Sequence, residues 1–149
     1  MSRAQSLAVP LLLLLASACS TVPREPGPSV ATGLVAHADE LAANGQSSAA
    51  FALYERVLRE YAGDPASADA LHGLGRMQAD PASGLRNYRA AHATFTRLLA
   101  EYPQSRWDAE ARAWRAVLAD LLAREDETAR LKSQIEHLRR TDLELERRR

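Results

Sequence analysis

The chain has one cysteine, Cys19, and so no disulfide framework; its fold must rest on side-chain packing. It has no apolar run of the roughly 20 residues that a membrane-spanning helix needs. The longest run, Leu7 to Ala18, is short and contains Pro10 and Ser17. β-Branched residues are scarce and never alternate with polar ones in the pattern strands favour. Neither sign of charge is in excess, with 19 Lys and Arg against 19 Asp and Glu. That excludes the clustered positive charge on which nucleic-acid binding depends. Chemical signatures are missing as well. His37, His72, His92 and His137 fall in separate stretches without His-Glu-x-x-His spacing, so no metal site is expected, and each reads as a surface or half-buried residue. Asp39-Glu40 and Glu125-Asp126-Glu127 are chain neighbours that diverge around a helix, which speaks against an acid/base pair. No Gly-x-Ser-x-Gly elbow occurs. Gly73 and Gly75 in HGLGR lack the strand before and the Gly-Lys-Ser/Thr after that make a phosphate loop, and read as close-packing sites. The expectation is a non-enzymatic protein that needs no cofactor.

What is present begins with LLLLLASAC, residues 11–19. Arg3 supplies a positive end, Leu7–Ala18 an apolar region, and Ala16, Ser17 and Ala18 the small side chains a signal peptidase accepts. By themselves these residues fit either a plain export signal cut after Ala18 or a lipid-attachment signal. Leucines running into small residues and a cysteine resemble a bacterial lipobox. That resemblance implies that residues 1–18 are removed and that Cys19 becomes an acylated N-terminus. Each buried methylene contributes about 0.8 kcal/mol, so several acyl chains hold a protein on a membrane without any spanning helix. Ser20, where enteric inner-membrane lipoproteins carry aspartate, implies an outer-membrane anchor facing the periplasm. Pro23, Pro26, Gly27 and Pro28 make residues 19–32 read as the lipidated cysteine plus a flexible tether. Once Arg3 leaves with the signal, 18 basic side chains face 19 acidic ones, still near neutrality.

The remaining chain is rich in alanine, leucine and arginine at helical spacing, which gives an all-α fold. It also repeats. AAFALYERVLREYAGDPASADA from Ala49 and AAHATFTRLLAEYPQSRWDAEA from Ala90 align at a shift of 41 residues. Tyr54 then falls on Phe95, Val57 on Leu98, Leu58 on Leu99, Glu60 on Glu101, Tyr61 on Tyr102, Ala68 on Ala109 and Ala70 on Ala111. Two helical units with one buried face in common are read as a repeat. Small residues such as Ala91 and Gly75 let helices approach, and Tyr54 or Phe95 fills the space between them.

Five helices are predicted: Ser29–Ala43, Ser47–Tyr61, Ser67–Ala79, Asn87–Tyr102, and one from Ser105 to near the C-terminus. Asp64-Pro65, Asp80-Pro81 and Tyr102-Pro103 mark the breaks. Ser105 with Asp108 three residues on reads as a capping box. From Trp107 to Arg149 there is neither Gly nor Pro, room for a single helix of about 60 Å. Its first part is broadly apolar through Ala111, Trp114, Leu118, Leu121 and Leu122, and caps the repeats over 33–123. Beyond Arg124 the apolar face thins to a seam at heptad spacing: Leu131, Ile135, Leu138, then Asp142, then Leu145. Glu136–Arg140 and Glu144–Arg148 are expected helix-face pairs. The extension 124–149 has three open readings: folded back on the domain, paired with another copy, or awaiting a partner.

Ala91, Phe95, Leu98 and Pro103 resemble the second helix of a tetratricopeptide repeat: small, aromatic, packing residue, closing proline. Ala50, Tyr54 and Val57 match the same spacing, Asn44-Gly45 stands where that family turns between helices, and Leu74-Gly75 matches its Leu-Gly pair. With FTRLLAEYPQSRWDAEARAW, the chain is similar over 47–118 to periplasmic tetratricopeptide lipoproteins of the BamD and CpoB type. That implies a short stack of helical hairpins and a role as an outer-membrane-anchored adaptor for a periplasmic or membrane protein in envelope assembly or maintenance. The repeat core it implies is Tyr54, Val57, Leu58, Leu74, Gly75, Ala91, Phe95, Leu98, Pro103 and Trp114. The tail LKSQIEHLRRTDLELERRR is similar instead to small QseG-like lipoproteins encoded beside sensor histidine kinases, which implies a regulatory role. A structural spacer self-associated through the last helix is the third reading.

Overall fold

A computed structural model describes residues 29–148. Cys19 and residues 1–28, with the signal and anchor assigned to them, lie outside the described residues. The elements are all helices: α1 (Val30–Ala43), α2 (Ser47–Glu60), α3 (Ala66–Ala79), α4 (Tyr88–Glu101) and α5 (Asp108–Arg147). The fold is all-α, ends in a long C-terminal helix, and contains no strand among the described residues.

The start of α1 corrects one boundary. Ser29 caps it, its Oγ accepting from the Thr32 N–H at 3.1 Å, and Ala31 is completely buried. The domain therefore begins at Ser29, and residues 29–32 belong to it instead of to a tether. Gly45 at φ +75° turns the chain from α1 into α2, a backbone conformation that a β-carbon would strain. The Gln46 N–H donates to the Leu41 carbonyl at 2.8 Å to close that turn.

α3 is the centre of the body, with α1 and α2 on one side and α4 on the other. Most of its side chains are buried, Leu71 and Leu74 among them. Its two internal glycines are where neighbouring aromatics enter. A β-carbon on Gly73 would lie 2.5 Å from Tyr54 Cζ, and one on Gly75 would lie 2.8 Å from Phe95 Cζ. The weak helix propensity of glycine is offset by letting two rings reach the helix backbone.

Residues 41 apart do the same work. Ala50 and Ala91, Val57 and Leu98, and Ala70 and Ala111 are all fully buried. Arg56–Glu60 and Arg97–Glu101 form the same exposed ion pair, each at 2.8 Å. The turns match as well: the carbonyls of Tyr61 and Tyr102 each accept an N–H three residues on, at 3.0 Å. This second turn overrides the expected capping box. The Ser105 carbonyl accepts from the Asp108 N–H at 3.1 Å, Trp107 stands at the N-cap without a side-chain cap, and Asp108 pairs with Arg112. The Ser105 hydroxyl is buried without a partner.

The 40 residues of α5 extend about 60 Å. Ala111 and Leu118 are buried against the body, and Trp114, Leu121 and Leu122 are partly buried. From Ala123 to Arg148 every residue is exposed. No helix among the described residues is long and apolar enough to cross a membrane.

Candidate functional site

Between α1, α3 and α5 lies a groove of about 770 Å³, its floor set by Tyr54, His72 and Gly73 and its walls by Asp39, Arg76 and Trp114. Several of its polar groups are paired across helices. The Tyr54 hydroxyl donates to Asp39 Oδ1 at 2.5 Å, joining α2 to α1. Asp69 of α3 accepts the Trp107 Nε1–H at 2.6 Å and the Arg106 Nε–H at 3.0 Å, fixing the entry to α5. Arg106 lies over the Trp107 ring, 4.6 Å from its centroid. His72 also stacks flat on that indole, with centroids 3.7 Å apart.

His72 is buried, which corrects the expectation of a surface or half-buried residue. Its Nε2 lies 3.0 Å from Glu110 Oε1, a close contact without the alignment of a full hydrogen bond. The Glu110 carboxylate also accepts from Trp114 Nε1 at 3.2 Å. The contact with His72 first, then that N–H, hold the Glu110 carboxyl below its ordinary range against the opposing effect of partial burial. Trp114 in turn stacks on Phe95 at 6.0 Å. The groove wall is therefore coupled to the core by a continuous run of rings: Trp107, His72, Phe95, Trp114.

Burial pushes the Tyr54 phenol well above the ordinary tyrosine value, and its bond to the Asp39 carboxylate adds to the shift. The unfolded chain releases this proton near pH 10, whereas the folded chain holds it to higher pH. Stability is then fully present below about pH 10 and declines as pH rises above it. Tyr54→Phe should flatten that decline in denaturant melts at pH 8 and pH 11. In the wild type, one of the four tyrosines should ionise only as the chain unfolds, read by phenolate absorbance. Parallel declines in the two proteins would contradict this.

A second hollow, of about 610 Å³, lies between the α2–α3 and α4–α5 turns, lined by Pro65, Ala68, Tyr102 and Arg106. No group of three or more His, Cys, Asp or Glu side chains able to hold a metal occurs among the described residues.

Of the residues the sequence singled out, Tyr54, Val57, Leu58, Leu74, Gly75, Ala91, Phe95 and Leu98 are buried together. Trp114 is half-buried at the groove. Pro103 is exposed in the α4–α5 turn, so it ends α4 without joining the core. Leu131, Ile135, Leu138 and Leu145 are uncovered, with Leu138 62 % exposed. The seam does not fold back on the body. In place of the expected Glu136–Arg140 pair, Glu136 meets Arg139 at 3.1 Å, and Glu127 meets Arg130 at 2.6 Å. Sequence reasoning missed Asp39, Asp69, His72, Arg106 and Trp107. The signal at His72 was its place on the apolar stripe of α3, between Ala68 and Gly75.

No known family, curated protein or solved structure matches this chain.

Proposed function

We propose that this protein is an outer-membrane lipoprotein whose tetratricopeptide-like domain serves as a non-enzymatic periplasmic adaptor for protein partners, in envelope assembly or maintenance. The observation that carries this reading is the bare seam of α5. Leu131, Ile135, Leu138 and Leu145 stand in heptad register on a helix that has left the body, and apolar residues so placed call for a covering surface. The groove supports the same reading. It is open, mixed in charge and walled by two tryptophans, which suits an extended peptide better than a small reactive molecule.

The anchor reading rests on the resemblance of residues 11–19 to a lipobox. Mass spectrometry of the mature protein should find Cys19 as the N-terminal residue, carrying acyl chains. Cys19→Ser should release the protein from membranes or leave its precursor uncut. An unmodified Cys19 would mean that the protein has no lipid anchor at this residue. For the adaptor reading, replacing Ile135 and Leu138 with glutamate should abolish the adducts that the wild type gives in crosslinked envelopes. Retention of the same adducts would contradict a docking role for the seam. A sensor kinase gene beside this one would favour the regulatory alternative over envelope assembly.

A further inference from the structure

The heptad register of the seam extends further back than its leucines. Taking Leu131 as d and Ile135 as a, it runs back through Thr128, Arg124, Leu121 and Val117, and on through Leu138, Asp142 and Leu145. Val117, Leu131, Ile135, Leu138 and Leu145 are between 47 and 62 % exposed. The body is met by a different face of α5. At about 100° per residue, Ile135, Leu138 and Leu145 lie roughly 100° to 180° around the helix from the buried Leu118. From Ala123 on, no face of α5 is covered, while Leu121 at the start of the seam is partly buried and lies only about 60° around the helix from Leu118.

We propose that the seam closes on a second copy of this chain running antiparallel, in the register that sets Arg124 of one copy against Asp142 of the other. The proposal rests on the docking reading above and names the partner of that seam. Two charged residues interrupt the apolar row, and they decide the geometry. In a parallel pair in register, Arg124 meets Arg124 and Asp142 meets Asp142, two like-charge contacts at the interface. In an antiparallel pair, a positions face d positions. Leu131 then meets Ile135, Thr128 meets Leu138, Arg124 meets Asp142 and Leu121 meets Leu145, each twice by the two-fold axis. Sliding the partner by one heptad either way sets Asp142 against Leu131 or Val117 instead. Only one antiparallel register brings the two charges together.

The flanking positions agree with it. Glu125 lies beside Arg139 of the other copy, and Asp120 beside Arg148. Glu127 faces Thr141, and Lys132 faces its own copy at the axis, an unfavourable contact. The Arg124–Asp142 pair fixes register and direction; a polar pair in such a seam specifies alignment at some cost in stability.

The test uses the full chain with Cys19→Ser, so that introduced thiols stand alone. Thr128→Cys and Leu138→Cys proteins, differently tagged and mixed, should form a mixed disulfide. Either one by itself should not, since each thiol lies about 15 Å along the axis from its own copy and a disulfide needs Cα atoms within about 7 Å. In sedimentation equilibrium, Arg124→Asp should weaken the dimer by about tenfold or more, and Arg124→Asp with Asp142→Arg should restore it. Efficient self-crosslinking of Leu138→Cys, or no rescue by the double exchange, overturns the antiparallel register. A monomer at every concentration overturns self-pairing altogether. If the Ile135→Glu, Leu138→Glu protein has then still lost its envelope adducts, the docking reading stands without it. Unfolding of a chain ended at Ala123 would bring down the docking reading and this proposal with it.

Discussion

Replacing Phe95 with alanine is expected to destabilise the protein by about 3–5 kcal/mol, the range for removing a fully buried aromatic ring. Phe95 is completely buried. Its ring tip fills the place that a side chain at Gly75 would take, it stacks on Trp114, and it meets His72 edge-to-face with centroids 6.5 Å apart. The hole left by alanine cannot collapse from the α3 side, where Gly75 has no side chain to move inward. Domains of this size are stable by only about 5–15 kcal/mol, so the loss is a large share. At about 4–8 °C per kcal/mol for a body of this size, the melting temperature should fall by roughly 12–40 °C. A variant melting within a degree or two of wild type would show that Phe95 is not the pivot of the second hairpin.

Ending the chain at Ala123 should leave the fold intact and abolish the docking proposed for α5. Every residue from Ala123 to Arg148 is exposed, so the cut removes little buried apolar surface. The polar contact it breaks between α4 and α5 is the exposed Arg89–Asp126 ion pair, and exposed pairs contribute on the order of 0–1 kcal/mol. The shortened protein should melt cooperatively within a few degrees of the full chain, with helicity lower only by the share of the missing segment. It should also give none of the crosslinked adducts of the full chain. Loss of the cooperative transition would make the seam part of the core, and unchanged adducts would move recognition to the groove.

Much of this architecture could be read from the sequence because its punctuation is local. Asp64-Pro65, Asp80-Pro81 and Pro103 break the helical pattern where the helices end, and Gly45 marks the first turn, so the expected boundaries lie within about three residues of those observed. The buried face followed from period and from the 41-residue repetition. The Ser105 cap failed because a local motif competed with that repetition. Ser105 aligns with Asp64, inside a turn, and the chain follows the turn at both places.

The groove was the least legible part. Asp39–Tyr54, Asp69–Trp107 and His72–Trp107 join residues 15 to 38 positions apart on different helices. Periodicity says which face of a helix is buried but not which side chain of another helix meets it. The seam was legible as a pattern, while its exposure depended on where the body ends, and that is a tertiary fact.

Whether the seam of α5 is a docking face can be read from a photo-crosslinking side chain placed at Ile135 in living cells. Ile135 lies on the seam, and Ser133 points to the opposite side of the same exposed helix, about 160° away. A docking face should give a discrete adduct from position 135 and none from position 133. No adduct from position 135, or the same adduct from both positions, would contradict it.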